Sequence, residues 1–153
     1  MANTQAMCTS FLGELMTATH NFTTGTGNSF KAALYFASAT LNASTTVYST
    51  SGEVTGTNYV AGGVAVTNGT SPLSTNSSTT AGVGYWTPSA SITYTNVTIN
   101  SAAFDCVLIY NTSSSDKAVS VHTFGSQTVT AGTFTLTMPS NTTSTALLRL
   151  ATT

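Results

Sequence analysis

From residue 4 to residue 20 the apolar side chains Met7, Phe11, Leu15 and Ala18 recur at helical spacing, with Cys8, Leu12 and Met16 on a second stripe beside them. The spacing predicts one α-helix over residues 4–20, with Asn3 or Thr4 as N-cap. His20 and Asn21, ahead of a Gly-containing stretch, supply its end. The two stripes span about half of the helix circumference, more than the roughly 100° arc that one sheet covers. Part of this face, with Phe11, Leu12, Leu15 and Met16 as contact residues, is therefore expected to meet a neighbouring subunit or another protein.

After Gly25 and Gly27 the period changes to two: Phe30, Ala32, Leu34 and Phe36 share one face and Lys31 and Tyr35 the other, as in a half-buried strand. Short β segments follow at residues 45–49, 59–67, 91–99, 104–110, 118–124, 133–138 and 146–150, separated by Gly, Asn, Ser and Pro clusters. This predicts one mainly β domain, an antiparallel β-sandwich or jelly roll over residues 29–153 preceded by the single helix. In the 91–99 segment Ile92 and Tyr94 sit on even positions but Val97 and Ile99 on odd ones, so a bulge is expected near Asn96. Residues 104–110 are apolar on both faces apart from Asp105, as in a central strand, and residues 111–117 read as a turn that closes a hairpin. Phe134, Leu136 and Met138 alternate with Thr133, Thr135 and Thr137, one face core and one wet. Residues 67–84 carry the weakest pattern and are expected to form an exposed loop.

Charge is scarce. Only Glu14, Lys31, Glu53, Asp105, Asp116, Lys117 and Arg149 are formally charged in 153 residues, for a net charge of −1. Ser and Thr make up roughly a third of the chain, which keeps pleated sheets soluble without charge. Catalytic and nucleic-acid sites need clustered ionisable groups, and anionic membranes attract basic patches. The composition thus points away from an enzyme, from nucleic acid and from membrane, implies no cofactor, and favours a neutral structural or binding domain. Residues 1–6 hold no basic residue and no long apolar run, so no secretory signal or transmembrane helix is read there and synthesis in the cytoplasm is expected. Asn-x-Ser/Thr sequons at Asn21, Asn42, Asn68, Asn76, Asn96, Asn111 and Asn141 follow from the abundance of these residue types rather than from glycosylation.

Glu53 is the ionisable residue with the most to do. It precedes a Gly-rich turn and Tyr59, whose backbone amides and hydroxyl can donate to it, so Glu53, Gly56, Tyr59, Gly62 and Gly63 are read as a structural turn. No Lys and no helix signature follow these glycines, which excludes a phosphate loop. His20 and His122 have no Cys, His, Asp or Glu at metal-ligand spacing, so no metal site is expected and both read as packing or surface residues. Cys8 and Cys106 are read as two buried thiols in preference to one disulfide. Tyr85, Trp86 and Tyr94 could form an aromatic sugar-binding platform, although core packing is the commoner use of such residues.

Three stretches together resemble small virion structural proteins of tailed bacteriophages. They are Phe30-Lys31-Ala32-Ala33-Leu34-Tyr35 with Ala39-Thr40-Leu41, the Glu53 to Gly63 turn, and Leu108-Ile109-Tyr110-Asn111 with the run from Ala118 to Gly125. The order matches as well, from the N-terminal helix to Phe134-Thr135-Leu136-Thr137-Met138-Pro139 and Leu148-Arg149-Leu150-Ala151. The chain carries Phe104-Asp105-Cys106 where such proteins tend to carry an Arg-Gly-like pair. The resemblance implies a non-enzymatic capsid cement or decoration protein on the exterior of a virion, made in the host cytoplasm. Its implied partners are the phage major capsid protein and further copies of itself, a trimer being favoured. The alternative is a tail, neck or surface adhesin module that recognises host glycan through Tyr85, Trp86 and the 67–84 loop.

Overall fold

The computed structural model describes residues 2–75 and 82–152. Its elements are β1 (Ala6–Met7), α1 (Thr9–Met16), β2 (Phe30–Phe36), β3 (Val64–Val66), β4 (Leu73–Ser74), β5 (Val83–Trp86), β6 (Ile92–Asn111), β7 (Lys117–Leu136) and β8 (Leu148–Ala151). All strand pairs are antiparallel, in a five-stranded sheet of order β1-β7-β6-β2-β3 and a three-stranded sheet of order β4-β5-β8. The fold is the mainly β, sandwich-like arrangement with one N-terminal helix that the alternation predicts. An aromatic cluster joins its parts: Phe22 stacks on Phe30 of β2 at 4.4 Å, lies 4.7 Å from Trp86 of β5 and meets Phe11 of α1 edge-on at 6.0 Å.

Where residues alternate cleanly, the expectation and the fold agree. β2 spans the predicted residues, and β6, apolar on both faces from Phe104 to Tyr110 apart from Asp105, sits in the middle of its sheet between β7 and β2. The bulge near Asn96 is present: pairing passes from Tyr94↔Phe134 to Val97↔Gly132, and Asn96 adopts φ 52° to absorb the extra residue. Residues 92–99 and 104–110 lie on one continuous strand, as do 118–124 and 133–136, with 137 and 138 beyond its end, because the hairpin ladder continues through the bulges that separate the segments in the sequence pattern. A short 3-10 turn, Thr112–Ser114, joins the two 20-residue arms, with the Asn111 side chain accepting from the Ser113 amide.

The predicted helix over residues 4–20 is cut at both ends, to eight residues. Ala6 and Met7 instead pair with Val121 and Ser120, and Cys8 N–H donates to Val119 O at 3.0 Å. The edge of β7 offers this segment a ladder that a first helical turn would have to forgo, since the earliest helical amides have no partner within the helix. Asn3 is not a cap. Its side chain donates to Phe36 O (3.0 Å) and Asp105 Oδ1 (2.7 Å) and accepts from Leu41 N (3.0 Å), tying the N-terminal segment across the sheet. At the other end Ala18 takes φ 55°, which stops the helix before His20.

Two further differences concern strands. The predicted 45–49 segment contributes only the isolated bridge Val47↔Lys117, and 59–67 shortens to β3 because Gly62 and Gly63 turn the chain at positive φ. The expected loop over 67–84 instead contains β4 and the start of β5, whose four residues were too short a run to show a period. The part of that loop at residues 76–81, with the sequon at Asn76, lies outside the described residues.

Candidate functional site

Two polar clusters and one apolar surface are the features with chemical potential. Glu53 forms an isolated bridge with Tyr35 and is buried. Its Oε1 accepts from Tyr59 Oη (2.7 Å) and Gly62 N (2.7 Å), and its Oε2 accepts from Tyr48 Oη (2.5 Å). Tyr59 Oη in turn accepts from Leu34 N at 3.0 Å, and Tyr110 Oη donates to Gly62 O at 2.8 Å while its ring stacks on Tyr48 at 4.6 Å. Burial, and next to it the hydrogen bond and charge of Glu53, push Tyr48 and Tyr59 well above the usual phenol range. Burial, with Asp116 and Glu53, raises Tyr110 to about 12.

The glycines of this turn are steric necessities. A Cβ on Gly63 would fall 1.7 Å from Ala32 O, and one on Gly56 1.9 Å from Thr98 O. The structure thus brings Glu53, Tyr59, Gly62 and Gly63 together as the sequence predicts, with Gly56 where the turn meets β6. It adds Tyr48, five residues from Glu53, and Tyr110, which reaches Gly62 O from 48 positions away, where no local pattern could connect it to the turn. All three hydrogen bonds to the carboxylate come from its own chain, an arrangement that braces a turn.

The second cluster has no counterpart in the sequence reading. Glu14 of α1 holds Lys117 Nζ at 2.6 Å through Oε1 and His20 Nε2 at 2.7 Å through Oε2. Asn111, its Oδ1 taken by Ser113 N, turns Nδ2 toward His20 Nδ1 at 3.0 Å. His20 Nδ1 therefore accepts, and Nε2–H donates to Glu14. Burial works to raise the Glu14 carboxyl, but hydrogen bonds from Lys117 and His20, with the charge of Lys117, outweigh it and hold the group below its ordinary value. The cluster ties α1 to the start of β7 across 103 positions of sequence, a separation that leaves no local signal.

Of the remaining candidates the two cysteines are packed away and His122 is half-buried. Cys8 and Cys106 are buried free thiols, which burial raises to about 11 and about 12, with smaller contributions from Glu14 and Asp105 respectively. His122 places Nε2 2.9 Å from Ser120 Oγ, and burial pulls it down to about 4. Among the described residues no three His, Cys, Asp or Glu side chains gather as metal ligands do, and no helix is long and apolar enough to cross a membrane.

The aromatic platform does not form. Trp86 and Tyr94 are 2% and 1% exposed and belong to different sheets, because each ring fills core: Trp86 Nε1 donates to Thr70 O (2.9 Å) and Asn68 Oδ1 (3.2 Å), and Tyr94 Oη donates to Ala32 O (2.8 Å). On α1 the proposed contact residues divide. Phe11 is buried, Leu15 is half-buried, and Leu12 and Met16 are 43% and 86% exposed. Leu73 and Leu150 of the small sheet are exposed as well, so among the described residues four of the six exposed large apolar side chains belong to α1 and that sheet. No protein-family model matches the chain, and neither curated proteins nor solved structures give a match.

Proposed function

We propose that this chain is a non-enzymatic structural protein of a phage virion, a capsid cement or decoration protein that stiffens the shell by bridging neighbouring major capsid subunits. One observation of the fold supports this reading: three of the four carboxylates are engaged within the chain, while large apolar side chains of α1 and the small sheet stay exposed. Glu14 is engaged with Lys117 and His20, Glu53 with its tyrosines, and Asp105 with Asn3. Leu12, Met16, Leu73 and Leu150 meanwhile face outward. A surface so poor in available charge gains affinity from apolar and backbone contacts, and a cyclic homo-oligomer, a trimer on a threefold position, multiplies weak contacts through avidity. The sequence resemblance to phage virion proteins supplies the identity of the partner.

The test is co-sedimentation of the chain with shells of the major capsid protein at rising ionic strength. Attachment is expected to survive about half-molar salt, since few ion pairs exist to be screened. Release over a modest rise in salt, with shells intact, would overturn the burial-driven mechanism, and failure to bind shells at all would overturn the role.

A further inference from the structure

Between α1 and the three-stranded sheet lies an open cleft of about 150 Å³. Phe11 and Leu15 form its helical wall, Phe22 and Trp86 its floor, and Leu148 and Leu150 the wall on β8. It is a dry site. The one polar group of its floor, Trp86 Nε1, is already used by Thr70 O and Asn68 Oδ1. Arg149 lies between Leu148 and Leu150 on β8, and strand alternation turns it to the opposite face. An apolar cleft of this volume offers water few hydrogen-bond partners and has room for one benzene-sized molecule.

Gly84 gives an independent indication. It lies inside β5, where glycine lacks packing area and costs backbone entropy. Neither of the usual reasons for a glycine applies: its φ is not positive, and a Cβ there would meet nothing closer than Leu150 O at 3.9 Å, an ordinary contact. Gly84 lines the cleft, so the space a side chain would take is left open to the cleft itself. A strand glycine that no contact within the chain requires marks a place where something else approaches.

We propose that this cleft is a binding site for a small uncharged apolar ligand, an aromatic ring or branched alkyl group of about six or seven heavy atoms. The site does not depend on the assembly role, although it shares Leu73 and Leu150 with the apolar surface assigned to that role. Trp86, the sole tryptophan, reports on occupancy. Titrating the full chain with bromobenzene, whose heavy atom quenches indole on contact, is expected to give saturable quenching, whereas benzoate, which would bury a charge, gives none. Gly84→Val fills the cleft with its own methyl groups and is expected to weaken binding at least about tenfold while the Tm holds or rises. Leu150→Phe, which narrows the mouth from an exposed position, provides a second variant should Gly84→Val fold poorly. Quenching that only rises linearly, as for free indole, overturns the proposal, and so does saturable binding that both variants leave unchanged. A chain that is dimeric at these concentrations and becomes monomeric in either variant also overturns it, because a second copy then fills the cleft.

Discussion

The turn around Glu53 and the cleft beside the three-stranded sheet solve opposite problems. At the turn a carboxylate is buried, and two tyrosine hydroxyls and a backbone amide reach its two oxygens. In the cleft, apolar walls from α1, β5 and β8 face one another across space that no described side chain fills. A buried polar network that is fully satisfied fixes one geometry and keeps no capacity for a ligand. Incompletely packed apolar walls forgo contact energy within the chain and keep that capacity. The first region therefore reads as structure and the second as recognition, although sequence inspection draws the eye to the charged residue.

Substitutions around the cleft test how sharply core and surface divide there. Phe11 packs against His20 and Phe22 at ring distances of 4.9 and 6.0 Å, so Phe11→Ala should give the largest loss, about 3–5 kcal/mol by denaturant unfolding. A loss below about 1 kcal/mol would mean that the helix is only loosely attached to the aromatic cluster.

At the turn, Glu53→Ala leaves Tyr48, Tyr59 and Gly62 N without their acceptor and should cost about 3 kcal/mol, the upper end for a single orphaned buried donor. Unchanged stability combined with lost partner binding would reverse the contrast, making the turn a recognition site.

A smaller effect is expected from pH. His122 has a folded value of about 4, below its unfolded 6.5, so between these values the unfolded chain binds the additional proton. The associated stability is complete above pH about 6.5 and is lost as pH falls toward 4, amounting to about 1–3 kcal/mol. His122→Gln should flatten urea-derived stability across this window. Glu14, also depressed, contributes above its unfolded value and loses that contribution at more acidic pH, as the solution falls through its lowered folded value. Lys117 is two-fifths exposed, so the Glu14 pair is worth under about 1 kcal/mol. A slope across pH 4 to 6.5 that survives in His122→Gln would assign the effect elsewhere.

The smallest stability change is expected at Met16, which is 86% exposed one turn beyond Leu12. Met16→Ser should alter unfolding free energy by less than about 0.5 kcal/mol while weakening oligomer or shell attachment in sedimentation. Losses of stability at Met16 and Phe11 of equal size, with association untouched, would erase the distinction between the helix's inner and outer faces.

Alternation by itself identified β2, four separate segments of the two long hairpin arms and the bulge at Asn96, because strand faces are a period-two property of neighbouring residues. The Glu53 turn was legible for the same reason: most of its partners lie within ten residues of the carboxylate. Other features depended on segments distant in sequence. Ala6 and Met7 became a strand because the edge of β7, more than a hundred residues away, was available to them. Glu14 found Lys117 and Asn111 found His20 across similar distances. Trp86 left the surface because Phe22 and Phe30 gave it a core. The cleft belongs to this second group, since empty space is a property of several elements packed together and no residue pattern encodes it. Local periodicity determined which faces of this protein are apolar; only the tertiary arrangement decided which of them remain uncovered.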